Sequence, residues 1–450
     1  MYCEIVTFIE NCKLRIENFI IMSKKSLNKK PRVVVAMSGG VDSCVAAYLL
    51  KKQGYEVIGV FLKFWTPPVS VCGTSRENAC CDMRALLLAR QVAGQLDIPF
   101  YTVNVSSYFK KEIVDNFVHE YESGRTPNPC VRCNEKIKFG VLWKKARALG
   151  ADYLATGHYV RKCQMSNIKY QKKSKISHLS FEIDSKFDIC NLTFSLMRSK
   201  DVNKDQAYFL SGIDARIIPH LLFPLGDMVK KDVREIAKKA KLPVYNKKDS
   251  TGICFIPDGD TSSFLSHYSN KLNKSGNIVD KNGNVLGKHK GLMGYTVGEK
   301  IGGEIFNFQF SIFNQYSIPN IQDQKDKIKK DVPRLYVIRI DVKKNRLIIG
   351  ENEDCFTDTL IAEDVNIIGS DLFTKKTILA QIRGGHKPER CHIVGAGISP
   401  ARIKGRPQGS PLRVSKLNIK FLKPVRAVTP GQTVAFYDLK GKLLGGGIIK

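Results

Sequence analysis

A chain of 450 residues is too long for one ordinary domain and implies two or three. Its hydrophobic share of 43% is enough to build packed cores, and its longest apolar stretches are short and broken by charge, which excludes a membrane-spanning helix. The 72 Lys plus Arg against 42 Asp plus Glu give a formal charge of +30, spread along the chain; a lysine-rich soluble protein would show the same excess, and the balance leans slightly toward a nucleic-acid partner.

Thirteen cysteines in a chain this long do not make the dense disulfide framework of a small secreted domain, and their contexts suit a reducing cytoplasm. Residues 1–30 read as an N-terminal extension. Acids between Glu4 and Glu17 are unlike a transit peptide, and there is no long apolar core like that of a secretory signal. Met22 offers an alternative start.

The run RVVVA at 32–36 predicts a buried parallel strand, followed by a glycine turn and a helix over 41–53 that stops at Gly54. Strands at 55–61, 99–105 and 151–156 then alternate with helices at 84–96, 110–121 and 138–148. That alternation predicts a doubly wound parallel sheet, which binds ligands at the carboxyl ends of its strands. Residues 162–200 are rich in Lys, Ser and Ile and read as an insertion, with a hairpin around 181–194. Helical spacing returns over 225–241, and a mixed region runs to about 302. Strands expected at 334–340, 346–350, 377–382, 390–394, 417–421, 433–437 and 443–449 predict a compact antiparallel barrel or sandwich. The expected division is therefore an extension (1–30), a parallel-sheet domain (31–226), a small central domain (227–302) and a C-terminal β-barrel (303–450).

Ser38-Gly39-Gly40-Val41-Asp42-Ser43 falls between the first strand and a helix N-terminus, where glycines let backbone amides approach an anion. It lacks the Lys-Ser/Thr ending of the common phosphate loop and resembles the loop of enzymes that split ATP between its α and β phosphates. Asp42 reads equally as a metal ligand or a helix cap. Cys130 and Cys133 form a C-x-x-C, expected as a turn between two helices, and Cys254 stands alone in the loop KKDSTGICFI. Thiolates in a basic, partly exposed site are nucleophiles and sulfur carriers; a C-x-x-C is also compatible with zinc or a redox pair. Cys80-Cys81 reads as packing or loop content.

From AMSGGVDS through GRTPNPCVRCN, ATGHYV, NKDQAYFL, KKDSTGICFI, GYTVGEK and TPGQTVAFYD to LGGGII, the chain resembles the tRNA-specific 2-thiouridylase family. The resemblance implies ATP-dependent 2-thiolation of the wobble uridine (position 34) of tRNAs for Lys, Glu and Gln, with Mg²⁺, and an ATP-pyrophosphatase fold for 31–226. It implies that Ala36, Met37, Ser38, Gly39, Gly40, Val41, Asp42 and Ser43 hold ATP, with Leu62 and Gly157 near the adenosine. Cys133 matches the family's catalytic cysteine and Cys254 the cysteine that carries a persulfide, the two ending as a disulfide in one route. Asn128, Pro129 and Cys130 would lie against the target base. His158, Lys204, Asp205, Gln206, Arg383, Gly384 and Gln432 match positions that contact tRNA, as the central domain would. The sulfur would come from a persulfide-bearing partner, a cysteine desulfurase or a relay protein. Many relatives have Asp at the position of Cys130, so Cys130, Cys133 and Cys254 are also candidate ligands of a [4Fe-4S] cluster. Glu299-Lys300 and Gly384 depart from the family pattern, the latter standing where an aromatic residue is usual.

Overall fold

The computed structural model describes residues 30–68, 83–164, 194–249, 252–256, 259–269, 273–301, 334–369, 372–397 and 413–450. The N-terminal extension up to residue 29, Cys80-Cys81 and the hairpin expected around 181–194, apart from Phe194, lie outside them.

Strand β1 (Arg32–Ala36) buries its three valines completely. Each contributes on the order of 2 kcal/mol by leaving water. It pairs in parallel with β2 (Glu56–Lys63) on one side and, through β2, reaches β3 (Phe100–Asn104); on the other side it pairs with β4 (Tyr153–Ala155). An antiparallel ribbon, β5 (Val160–Gln164) with β6 (Phe194–Arg198), brackets 165–193. β7 (Leu221–Leu222) completes a five-stranded sheet of order β3-β2-β1-β4-β7. Because side chains alternate along a strand, Val33 and Val35 join one core with the helices Val41–Lys52, Met83–Gln95 and Lys230–Lys239, while Val34 joins the opposite core with Phe109, Phe117 and Leu142. Strand order reverses between β1 and β4, and the crevice at their carboxyl ends opens there.

The C-x-x-C is not a turn. Cys130 and Cys133 lie within the helix Pro129–Cys133, started by Pro129 at its first position and by Asn128, whose side chain accepts from the Val131 N–H at 3.3 Å. The chain then continues as a π-helix (Asn134–Val141) and an α-helix (Leu142–Ala148). A second π segment, Lys110–Val114, precedes the helix Asp115–Glu122. A 3.6-residue spacing rule does not register either wide turn.

Strands β8 (Gly276–Val279), β9 (Val285–His289), β10 (Lys300–Ile301), β11 (Leu335–Asp341) and β12 (Arg346–Gly350) form a second sheet of order β10-β11-β12-β8-β9. The strands expected at 334–340 and 346–350 as part of the barrel are β11 and β12. They belong here because β12 pairs in parallel with β8, a partner some seventy positions earlier in the chain that turn spacing does not reveal. The closed barrel consists of β13 (Phe356–Ile367), β14 (Ile378–Gln381), β15 (Glu389–Gly397), β16 (Arg413–Arg426), β17 (Thr433–Tyr437) and β18 (Leu443–Ile449), in the order β13-β16-β15-β14-β17-β18. β13 escaped the sequence reading: its acids Asp358, Glu363 and Asp364 interrupt the apolar pattern, and its ladders with β16 and β18 both carry register shifts.

The barrel grips the sheet domain directly. The Thr126 N–H donates to the Pro430 carbonyl at 2.8 Å, the Tyr208 hydroxyl donates to the Thr433 carbonyl at 2.7 Å, and Arg413 pairs with Glu135 at 2.7 Å. Gly431 has φ +88°, and a Cβ there would stand 2.8 Å from that of Arg125. The segment leading into the C-x-x-C helix therefore rests on the barrel.

Candidate active site

The loop after β1 is shaped by its own side chains. Ser43 Oγ accepts from the Ser38 N–H at 3.1 Å and donates to the Gly40 carbonyl at 3.2 Å. Gly40 caps the helix Val41–Lys52 without a side-chain bond, so the first-turn amides face the crevice as anion donors. Asp42 is thus not the cap: it sits in the first turn. Gly39 adopts φ +69°, and a Cβ there would fall 2.1 Å from the Ala85 carbonyl oxygen. Replacing Gly39 by Ala is expected to cost roughly 2–5 kcal/mol and to remove ATP binding, read by thermal denaturation and by nucleotide titration. Gly157, two positions beyond β4, packs against the same loop, since a Cβ there would meet the Ser43 nitrogen at 2.7 Å.

Two cavities share this loop. The first is lined by Ala36, Met37, Ser38, Asp42, Ser43, Val60, Leu62, Phe64, Lys138, Thr156, Gly157, His158 and Gln206. Its strand-end apolar wall suits a nucleoside and its serines suit phosphate. The second brings together Pro129, Cys130, Cys133 and Cys254 with Lys204, Lys247, Lys248 and Asp249. Cys133 is buried, Cys130 and Cys254 are half-buried, and none of the three is disulfide-bonded.

A charge network joins the cavities. Lys230 Nζ donates to both oxygens of Asp42 at 2.7 Å and pairs with Asp249 at 2.8 Å. Lys204 and Arg234 also pair with Asp249, at 2.8 and 2.7 Å. Burial alone would raise the Asp249 carboxyl, but the bonds from Lys204 and Lys230 hold it down at about 2. The Tyr159 hydroxyl donates to Asp42 at 2.8 Å, and Lys247 Nζ donates to the Gly39 carbonyl at 3.2 Å. His158 bonds Thr156 Oγ1 through Nδ1 at 2.8 Å; burial first, then nearby Lys138, lower its pKa well below 6.5 and keep it neutral.

Not every expected contact residue faces the crevice. Lys204 and Gln206 line it, and His158 lines the nucleoside cavity. Asp205 is spent internally, accepting from Arg198 at 2.6 Å and the Ser199 N–H at 2.9 Å. Arg383 donates to Thr429 Oγ1 at 2.9 Å, and Gln432 is buried in the turn that docks on Thr126. At Gly384 a Cβ would meet the Phe209 ring at 3.0 Å, so that ring occupies the space beside the departure from the family pattern.

Three family models match in chain order: a tRNA methyl transferase HUP domain over 31–258, a tRNA methyl transferase PRC-barrel domain over 262–315, and an aminomethyltransferase β-barrel domain over 401–449. The chain is 40% identical over 420 residues to a tRNA-specific 2-thiouridylase of Thermoanaerobacter sp., covering 93% of this chain and 98% of that one. It is 40% identical over 426 residues to that of Clostridium acetobutylicum (94% and 100%) and 39% over 424 residues to that of Clostridium perfringens (94% and 99%). The chain belongs to the tRNA-specific 2-thiouridylase family.

Within this family member, the residues that sequence reasoning passed over are Lys138, Tyr159, Lys230, Lys247, Lys248 and Asp249. Lys247, Lys248 and Asp249 stood inside the motif quoted for Cys254, and their charge beside a thiol was the available signal. Lys230 gave none, because it opens an amphipathic helix where a lysine is ordinary. The three cysteines share a cavity, yet among the described residues no three His, Cys, Asp or Glu side chains converge as a metal-holding group. The three thiols are of the right chemistry for an iron–sulfur cluster but are not gathered as its ligands among the described residues, and no step is routed through one. A divalent cation on the triphosphate fits better: such ions take one or two carboxylates beside substrate phosphates, and Asp42 lies at the loop.

Proposed function

We propose that this protein thiolates C2 of the wobble uridine of tRNA, using ATP and releasing AMP and pyrophosphate. The observation that carries this reading is the common wall between a phosphate-loop cavity and a cavity holding Cys133 and Cys254. The relatives' names agree with it. Methyl transfer, suggested by two of the family-model descriptions, would leave the phosphate loop and Cys254 without a task.

The uridine 2-oxygen attacks the α-phosphorus, the bond to the β-phosphate oxygen breaks, and pyrophosphate leaves with the electron pair while N3 loses its proton. Mg²⁺, when bound, offsets charge on the pyrophosphate. The loop amides, Ser38 and Ser43 hold the phosphates, and Leu62 and Gly157 flank the adenosine. The terminal sulfur of a Cys254 persulfide then attacks C2, and AMP leaves with the electrons of the C2–O bond. The Cys133 thiolate attacks Cys254 Sγ, breaking the S–S bond and leaving sulfur on the uridine; the Cys133–Cys254 disulfide is the two-electron oxidised product. Cys254 is recharged by a persulfide-bearing partner after reduction. Asn128, Pro129 and Cys130 face the splayed base, and Lys204, Asp205, Gln206, His158, Arg383, Gly384 and Gln432 form or support the RNA-facing surface. The acceptors proposed are the tRNAs for Lys, Glu and Gln.

The test is a reconstituted reaction with ATP, tRNA and a persulfide donor. Thiolated uridine and one AMP per sulfur are expected, and ATP turnover without thiolated product overturns the reading. Binding of tRNA should also weaken steeply with salt, by on the order of 10³-fold between 50 and 200 mM if some six phosphates are contacted. Titrations at several salt concentrations check this.

A further inference from the structure

An adenylated uridine has adenosine at one end, the target ring at the other, and a single phosphate between them. If adenosine lies in the first cavity and C2 beside the cysteines, that phosphate must cross the wall the two cavities share. Six residues line both: Ser38, Asp42, Ser43, Phe64, Lys138 and Gln206. Among these described residues Lys138 is the one cation. Lys204, Lys247 and Lys248 line only the cysteine side, and Lys230 is committed to Asp42 and Asp249. Gln206 is a neutral partner at the same seam: its side-chain carbonyl accepts from the Tyr159 N–H at 3.0 Å, while its own N–H donates to the Tyr159 carbonyl at 3.1 Å.

Local backbone explains how Lys138 gets there. It follows Cys133 by five positions, and five residues of an α-helix at 3.6 per turn would point about 140° apart. The intervening segment is the π-helix Asn134–Val141, in which the Leu142 N–H donates to the carbonyl of Ile137, five back. That wider turn brings position i+5 round toward position i, so Cys133 and Lys138 line one cavity. Lys138 lines the first cavity together with His158, whose pKa it helps to lower.

We infer that Lys138 is a catalytic residue that meets the α-phosphate of the bound nucleotide and stays on it through both half-reactions. The inference rests on the proposed thiolation. In the first half-reaction the ammonium offsets charge on the non-bridging oxygens as the bond to pyrophosphate breaks. In the second it stabilises AMP as it leaves with the electrons of the C2–O bond. A fixed cation at a point of developing charge is worth about 10²–10³ in rate, and one shared group serves both steps.

The experiment is a single turnover with persulfide-loaded protein, tRNA and ATP labelled at the α-phosphate to follow adenylated tRNA and AMP and, in a parallel run, at the γ-phosphate to follow pyrophosphate. Lys138→Met is expected to slow both products about 100-fold, with Lys138→Arg recovering at least about a tenth of the wild-type rates. Lys145→Ala, an exposed lysine on the following helix, should match wild type. Melting temperature and equilibrium ATP binding confirm that the Met variant is folded. The inference is overturned if the Met variant forms AMP from accumulated adenylated tRNA at the wild-type rate, or if its only change is a higher KM for tRNA. Failure of the wild-type protein to thiolate tRNA defeats the functional reading instead, so the two failures are separable.

Discussion

Replacing Cys254 by serine is expected to lower sulfur transfer at least about 10⁴-fold while leaving tRNA-dependent ATP–pyrophosphate exchange within about threefold of wild type. The asymmetry follows from the two cavities. In the proposed reaction adenylation uses the loop at 38–43 and the wall of the first cavity, none of which includes Cys254. Sulfur transfer needs a thiol able to carry a second sulfur, and a hydroxyl cannot. Serine is close in size and Cys254 is half-buried, so the fold should persist. Cys133→Ala should stop the reaction one step later, with the tRNA trapped on Cys254 through a disulfide that a reductant releases as thiolated tRNA. Cys130→Ala should retain activity, because the persulfide route gives that thiol no step. Gel separation of thiolated, covalently trapped and unmodified tRNA reads all three. Sustained thiolation by Cys254→Ser would sink the persulfide assignment, and loss of activity in all three variants together with bound iron would restore the cluster.

The parallel sheet and its phosphate loop were legible because each is written locally. A buried strand shows as RVVVA, and the loop's glycines and serines sit where the backbone needs them: Gly39 is at positive φ and no Cβ fits there. The cysteines were legible through motif resemblance, but their setting was not. Asn128 and Pro129 are ordinary helix-start residues, yet the two cysteines looked like a turn because the π register after Cys133 breaks the 3.6-residue pattern. The central sheet was hidden for a different reason. β8 finds β12 across a long stretch of chain, and such pairing leaves no mark on either strand alone. The same applies to the charge network: Asp42 and Asp249 each stand in a motif, but Lys230, which joins them, is far from both in sequence and unremarkable in its own neighbourhood.

That network carries the second large prediction: Lys230→Met is expected to reduce sulfur transfer about 10²-fold, more than its cost in stability would suggest. The Lys230 side chain is only 12% exposed, and its ammonium is held between Asp42 of the phosphate loop and Asp249. Asp249 stands five positions before Cys254, so one lysine ties the loop proposed for adenylation to the segment that precedes the proposed sulfur carrier. Asp249 keeps Lys204 and Arg234 in the variant, and Asp42 keeps the Tyr159 hydroxyl. Both carboxylates are about 30% exposed and partly solvated, which limits the stability loss to about 1–2 kcal/mol. The larger effect on rate comes from position, since a displacement of about 1 Å at a reacting group can cost 10²-fold. Asp249 gives an independent check through pH. Its folded pKa of about 2 lies below the ordinary value of 3.8, so its contribution to stability is complete above about pH 4 and disappears as pH falls through 2. Asp249→Asn should therefore flatten acid unfolding between pH 4 and 2, and Lys230→Met should flatten it partly. A double-mutant cycle between Lys230→Met and Asp249→Asn should show coupling of at least about 1 kcal/mol in sulfur-transfer rate. Strict additivity in that cycle would mean that Lys230 serves the phosphate loop alone and that the Cys254 segment is positioned by other contacts.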